Sequence, residues 1–314
     1  MEPRAASITA RIDRIKQLTG DYRSPTPPAP KSVKIELTAR CDFQCSFCAS
    51  HTRPREKRDM PREFYERIVK EMRGLGVEQL GVFYLGESFL CDWLPEAIHY
   101  AKKECGYPYV FLTTNGLLAS PDRLRGCMLA GLDSLKFSLN FCGPAQFHKV
   151  TCGSSDEYHT VLNNLKDARW IREYVEVATG HRCGLYASSM LYDEKQPERM
   201  KAVLAEILPH VDEHYWLPLY GHSPTAGDIR DGEIGAGVAR KPLPCWPLFT
   251  EGHITCDGRL SACCLDHSVR YSMGNLHRMS FLQAWHSRSF RRLREAHLKE
   301  NVSGTTCENC IAYK

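Results

Sequence analysis

CDFQCSFC, residues 41–48, places three cysteines in eight positions directly after SVKIEL (33–38), a run that reads as a β-strand. Thiolates so close together serve either a disulfide framework or a metal centre. The N-terminal stretch MEPRAASITARIDRIKQLTG has no apolar segment of the signal-peptide kind, and no uninterrupted apolar run is long enough to span a bilayer. These features predict a cytoplasmic protein with no membrane partner. In that compartment thiols stay reduced, so the fifteen cysteines of the 314-residue chain point to metal or cluster ligation. Their distribution agrees. Cys41, Cys45 and Cys48 cluster early. Cys245, Cys256, Cys263, Cys264, Cys307 and Cys310 crowd the last quarter, and the scattered remainder read mostly as small buried hydrophobes.

Working outward from the loop, the chain alternates strand-like and helix-like runs. MPREFYERIVKEMRGLG (60–76) has helical periodicity, with proline near its start and glycine at its end. QLGVFYLGES (79–88) reads as a buried strand and DWLPEAIHYAKKEC as a helix. YVFLTTNG (109–116) is a strand, SPDRLRGCMLAG (120–131) a helix opened by a capping serine, and SLKFSLN (134–140) a strand. YHTVLNNLKDARWIREY is a helix, GLYASSMLY (184–192) a strand, QPERMKAVLAEIL a helix and EHYWLPLYG (213–221) a last strand. Six such units predict parallel strands with right-handed crossovers. They are too few for a closed eight-fold barrel. The fold class is therefore α/β, an open, partial (β/α)6 barrel of TIM-like type, with chemistry at the C-terminal ends of its strands. CDFQCSFC follows the first strand and so lies on that face.

Four segments follow. Residues 1–30 form a short amphipathic helix and the stiff linker SPTPPAP, 31–220 the partial barrel, 221–244 a Gly- and Pro-rich connection, and 245–314 a small module. In the module, GHITCDGRLSACC reads as a hairpin turning at Asp257-Gly258, followed by an amphipathic helix. The basic run Arg288, Arg291, Arg292 and Arg294 reads as the solvated face of that helix. A net charge of only +4 implies no nucleic-acid partner.

Two chemistries suit the first cysteine set. His51 allows a Cys3His zinc knot, whereas a four-iron cluster on three thiolates keeps one iron open for another molecule. C-x3-C-x2-C after a strand resembles the signature of the radical S-adenosylmethionine (radical SAM) enzymes. YLGES (84–88) resembles their GGE-type motif at the end of strand two, with Leu85 where that family often has glycine. The resemblance, over residues 31–220, implies a [4Fe–4S] cluster on Cys41, Cys45 and Cys48 that chelates S-adenosylmethionine. It implies that Gly86 and Glu87 meet the methionine amino group and that the backbone at Phe47 contacts adenine. Ser138 and Asn140 would hold the ribose, with Thr114 and Asn115 facing the mouth. An external one-electron reductant of flavodoxin or ferredoxin type is implied as well. Reductive cleavage would give a 5′-deoxyadenosyl radical able to take hydrogen from an unactivated carbon.

Cys245, Cys263, Cys307 and Cys310 form a second set, C…C…C-x2-C, which suits a zinc ribbon or a cluster. With GNL (274–276) and FLQAW (281–285), it resembles the twitch subtype of the SPASM-like extensions of radical SAM enzymes. That implies one auxiliary [4Fe–4S] cluster on these four cysteines, two clusters in all. The pattern leaves Cys264 outside the ligand set. Consecutive side chains on a strand point to opposite faces, so Cys264 is expected near the barrel mouth as a hydrogen donor, with Cys183 as rival. The architecture resembles aminoglycoside-pathway epimerases and a related aminocyclitol dehydrogenase. The implied activity is inversion of a carbinol carbon on an aminoglycoside or related sugar. Oxidation to a ketone, peptide modification and a non-catalytic zinc module are the alternatives. A polycationic sugar calls for an acidic mouth, for which Glu36, Asp92, Asp212, Glu213 and Asp266 are the candidates, with Tyr215 and Tyr220 as sugar-facing rings.

Overall fold

The structure, a computed structural model, describes residues 7–48, 55–218, 243–266, 269 and 271–308. His51, Tyr220, Cys310 and most of the 221–244 connection lie outside the described residues. Six parallel strands, β1 (Ser32–Ile35), β2 (Gln79–Gly81), β3 (Tyr109–Thr114), β4 (Ser134–Ser138), β5 (Gly184–Leu191) and β6 (Glu213–Pro218), pair in chain order. The open, partial α/β barrel read from the sequence is thus what forms. Helices α1 (Ile8–Lys16), α2 (Arg62–Gly74), α3 (Leu94–His99), α4 (Pro121–Leu129), α5 (Pro144–Thr151), α6 (Ser155–Thr179), α7 (Gln196–Arg199) and α8 (Lys201–Ile207) accompany them. Alternation sorts the strand residues: Val33, Ile35, Leu80, Val110, Leu112, Leu135, Phe137, Leu185 and Ala187 are buried in the core. The opposite parity, including Lys34, Phe111, Thr113, Ser134, Lys136 and Tyr215, lines the lumen.

Two features of the barrel helices differ from the sequence reading. The Gly143-Pro144 pair looks like a breaker, but proline is at home in a first helical turn, and α5 begins there. The QPERMKAVLAEIL helix is divided into α7 and α8 at Met200.

The last quarter adds α9 (Pro247–Thr250), β7 (Glu251–Ile254), β8 (Arg259–Ser261), β9 (Ser272–Asn275), α10 (Phe281–Trp285) and α11 (Arg288–Leu298). The hairpin turns at Gly258, whose φ of +78° favours glycine. Its first strand also pairs in parallel with β1, Lys34 opposite His253. The described strands therefore form one nine-stranded sheet, β6-β5-β4-β3-β2-β1-β7-β8-β9.

The N-terminal helix is part of the barrel. Ser7 caps α1, Ile8 and Ile15 are buried, and Glu213, at the start of β6, accepts from the Ile8 amide at 3.0 Å and the Thr9 hydroxyl at 2.5 Å. Arg11 reaches Gln79, at the start of β2 (2.6 Å), and lies over the Tyr109 and Phe111 rings. α1 thereby floors the lumen at the N-terminal ends of the strands.

The proline linker is clasped by the C-terminal helices. Trp285 Nε1 donates to Pro28 O (2.9 Å), His286 Nε2 meets Pro27 O (2.7 Å), and Arg294 donates to Pro25 O (3.2 Å). Arg288, Arg291 and Arg292 are exposed as expected, but Arg294 is fully buried. Its guanidinium also donates to Leu248 O and Trp285 O, each at 2.7 Å, and stacks on Trp285 and Phe290. Burial pushes its pKa down to about 9. It turned inward because three carbonyls and two rings replace its water. Arg294→Leu strands those carbonyls and is expected to destabilise the protein by about 3 kcal/mol, measured by denaturant unfolding.

Candidate active site and cluster-binding loops

CDFQCSFC leaves β1 at the C-terminal end of the barrel. Its backbone is fastened to the end of α5, Gln44 N donating to Thr151 O (3.1 Å) and Ser46 N to Val150 O (2.8 Å). Phe47 is buried in a small cluster with Val150 and Met190, where Cys45, Cys48 and Tyr192 also pack. None of the three thiols is in a disulfide. Burial, and then the neighbouring Glu87 charge, push Cys41 up to about 12; burial and the other two thiols push Cys45 well above its usual range. Buried thiolates need a cation beside them. Among the described residues no three His, Cys, Asp or Glu side chains close on a single metal-ion position. A cluster that takes each thiolate on a different iron needs no such convergence, and the donor set fits it.

The loop after β2 approaches the cysteine loop backbone to backbone. A Cβ on Gly86 would stand 2.1 Å from Thr38 O and 2.7 Å from Arg40 O, so only glycine fits. The next amide, Glu87 N, donates to Arg40 O at 2.9 Å. The Glu87 carboxylate accepts from Thr114 Oγ1 (2.9 Å), Asn115 N (2.8 Å) and Phe89 N (3.1 Å). Glu87, Thr114 and Asn115, three separate expectations of the sequence, thus form one knot joining the ends of β1, β2 and β3. Burial, then Asp42, raise the Glu87 carboxyl to about 7. Asp42 is the member that the sequence reading missed. Its Oδ1 accepts from Asn115 Nδ2 at 2.5 Å and lies 3.8 Å from Cys41 Sγ, while Oδ2 is buried with no hydrogen bond. The available signal was a carboxylate placed inside a cysteine loop.

Ser138 ends β4, opposite Ser188 of β5. Asn140 is nearly buried; its side-chain oxygen accepts from Met190 N (3.1 Å) and its carbonyl from the Tyr192 hydroxyl (3.1 Å).

The second cysteine set assembles beyond β8. Cys263 lies within hydrogen-bond reach of Cys264 and within electrostatic reach of Cys245; the contact with Cys264 and then burial raise its pKa well above the usual range. Cys245 N donates to His297 Nδ1 (3.2 Å), the Tyr84 hydroxyl to Cys263 O (2.9 Å), and half-buried Cys307 packs on the core. Two expectations change here. Cys263 and Cys264 lie past the end of β8, in a turn closed by Asp266 N to Cys263 O, so strand alternation does not separate their thiols. The strand β8 also runs antiparallel to β7, so the pair is reached heading away from the strand ends that carry CDFQCSFC, not at the mouth. Cys264 nevertheless borders the lumen. Cys183, the rival donor, is buried just before β5, in the core at the opposite end of the strand.

The lumen is a cavity of about 1030 Å³ bordered by α1, the strands, Trp246 and Cys264. The five carboxylates expected at an acidic mouth do not gather there. Asp212 pairs with Arg172 (2.7 Å) and Glu213 holds α1, both at the start of β6 and so at the far end. Glu36 is buried against Arg55 and accepts from Cys256 N (2.9 Å), and Asp266 accepts from Tyr271 N (2.8 Å). Asp92 is exposed, and Tyr215 does border the cavity. Of the described carboxylates that border the lumen, Asp13 is exposed and Glu251 is buried, bonded to Lys34 (2.8 Å) and His253 (2.6 Å). Burial alone would raise its pKa, but those two partners outweigh it and hold the carboxyl low.

Comparison with known proteins agrees with this geometry. The model of the radical SAM superfamily matches residues 35–181, and that of the SPASM iron–sulfur cluster-binding domain matches 245–311. A protein named GTP 3′,8-cyclase from Chlorobaculum tepidum is 29% identical over 75% of this chain and 78% of its own length. A probable GTP 3′,8-cyclase from Methanococcus maripaludis is 32% identical, over 40% of this chain and 42% of its own. Among solved structures, BtrN in complex with AdoMet and 2-DOIA superposes with a TM-score of 0.58 at 14% identity, covering 86% of this chain and 87% of that one. AdoMet-bound anSMEcpe with a peptide gives 0.61 at 11% identity, over 85% and 83%. These structural likenesses show the fold. Among the described residues no helix is long and apolar enough to cross a membrane.

Proposed function

The chain is a radical SAM enzyme with a C-terminal SPASM domain, and from that premise we propose that it inverts a carbinol carbon of a sugar-class small molecule held in the lumen. The observation that carries this reading is the position of Cys264, a thiol on the cavity wall reached from the side away from CDFQCSFC. Cys41, Cys45 and Cys48 would hold one [4Fe–4S] cluster, and Cys245, Cys263, Cys307 and Cys310 the auxiliary one. Gly86, the Glu87–Thr114–Asn115 knot, Ser138, Asn140 and the loop at Phe47 shape the S-adenosylmethionine site. When bound, the cluster and S-adenosylmethionine would supply the one-electron chemistry that removes a hydrogen atom from an unactivated substrate carbon.

The protein's own part is to return a hydrogen atom to the other face. The Cys264 S–H bond breaks as the new C–H bond forms, which runs downhill because S–H is the weaker bond. One electron from an external reductant of flavodoxin or ferredoxin type and one proton from solvent restore the thiol. The α1 floor and the buried knot exclude water from the radical's path. In deuterated water, one solvent deuterium is expected at the inverted carbon, read by mass spectrometry; inverted product without label contradicts a thiol donor. Without the thiol, loss of an electron and a proton from the carbon radical gives the ketone of the dehydrogenase reading.

A polycationic aminoglycoside is disfavoured by the lumen's own charge, since Arg11 and Lys136 border it and neither makes an ion pair with a carboxylate among the described residues. A second reading, conversion of GTP by ring closure, is favoured by the 29% identity with the Chlorobaculum tepidum protein, which extends over 75% of this chain. Anaerobic incubation with GTP separates the two: ring closure consumes GTP and joins its ribose to its base by a new carbon–carbon bond, read by chromatography and fragmentation mass spectrometry, whereas an enzyme confined to inverting another sugar returns GTP intact.

A further inference from the structure

We propose that the substrate carries a phosphate group, seated at Lys136 and Arg11 in the barrel lumen. This rests on the lumen being the substrate site, and on no choice between inversion and ring closure.

The lumen buries more positive than negative charge. Lys34 is matched by Glu251 at 2.8 Å. Arg11 is 6% exposed and makes its one side-chain hydrogen bond to a neutral partner, Gln79, while its Nε is buried with no hydrogen bond. Lys136, half-buried in the middle of β4, has its Nζ over the face of Tyr215, 5.7 Å from the ring centre, and makes no ion pair or hydrogen bond among the described residues. Both cations border the same cavity and both lie near Tyr215. Arg11 feels the Glu251 carboxylate at a distance, but that carboxylate is already bonded to Lys34 and His253; the positive charge left over on the wall favours an anionic ligand. A phosphate monoester carries about −2 at neutral pH, the charge that two unmatched cations call for. Arg11 offers a planar fork and Lys136 a mobile ammonium, the usual pair for a phosphate.

The register gives this seat a place relative to the chemistry. Ser134, Lys136 and Ser138 share one face of β4, with Lys136 opposite Thr113 of β3. Lys136 is therefore one side-chain layer below Ser138, on the path from the cofactor-binding strand ends to the floor. Cys264 borders the same space. A phosphate anchored there fixes which carbon of the substrate faces the radical and which face is turned to the thiol.

The test is calorimetric binding to the cluster-loaded protein, without turnover, using inorganic pyrophosphate, succinate and kanamycin as probes. Pyrophosphate is expected to bind, more weakly as salt is raised. Its affinity should fall about ten- to hundredfold in Lys136→Met and in Arg11→Gln, and recover in Lys136→Arg. Iron content and circular dichroism establish that each variant is folded; should one fail, the other carries the comparison. Equal pyrophosphate binding by both charge-removing variants, succinate binding as tight as pyrophosphate, or tighter binding of kanamycin overturns the proposal. None of these readouts depends on inversion, so a failed epimerase assay and an absent phosphate seat remain distinguishable.

Discussion

Cys264→Ala is expected to stop inversion, lowering the rate of labelled product by about a thousandfold or more, the scale seen when a group that reacts with substrate is deleted. The variant still forms the carbon radical, so S-adenosylmethionine continues to be cleaved, and ketone is expected to accumulate in place of epimer. Cys264→Ser should behave as the alanine variant does, because an O–H bond is too strong to give up its hydrogen to carbon. Cys183→Ala is the control. That thiol is buried away from the lumen, and its loss should leave stereochemistry and label unchanged. The adjacent thiols add a discriminating readout, since Cys263 and Cys264 lie within hydrogen-bond reach of each other. Cys263→Ala should remove the auxiliary cluster's iron and Cys264→Ala should not. The reverse pattern would move ligation to Cys264 and end its role as donor.

Gly86→Ala is expected to unseat the first cluster. The added methyl would stand 2.1 Å from one backbone carbonyl and 2.7 Å from another, and neither can swing aside as a side chain would. The loop after β2 must therefore lift from the loop after β1, at a cost of about 3 kcal/mol or more. Lifting breaks the Glu87 N to Arg40 O bond and displaces the carboxylate that ties down Thr114 and Asn115. Iron per chain should fall by roughly half, the auxiliary set being untouched. Gly143→Ala meets nothing within 4 Å and should keep full iron.

The parts of this molecule that were legible in sequence are those written in local pattern. Strand β4 was expected at 134–140 and spans Ser134–Ser138; β5 was expected at 184–192 and spans Gly184–Leu191. The cysteine loop falls at the C-terminal end of β1 because alternating strand and helix leave it nowhere else. Glu87, Thr114 and Asn115 were each singled out, but their mutual bonding was not, because it joins loops that are 28 residues apart in the chain. The parallel pairing of β7 with β1 was hidden for the same reason, since strands more than 200 residues apart carry no shared local signal. Charge misled most. Arg294 looks like its exposed neighbours until three carbonyls and two rings enclose it. Asp212 and Glu213 look like a substrate-facing acidic pair until the start of β6 places them at the floor. Where a charged side chain goes depends on which partner the tertiary fold brings to it, and sequence periodicity does not report that.

The central claim is that the iron held by Cys41, Cys45 and Cys48 keeps one coordination position for S-adenosylmethionine. Low-temperature electron paramagnetic resonance of the anaerobically reconstituted, reduced protein, recorded before and after adding S-adenosylmethionine, tests it most directly. The predicted result is about eight irons per chain in the native protein and about four in Cys263→Ala, with one cluster signal that changes on addition in both and that is missing when Cys41, Cys45 and Cys48 are replaced by alanine. Zinc without sulfide at that site, or a cluster signal indifferent to S-adenosylmethionine, would contradict it.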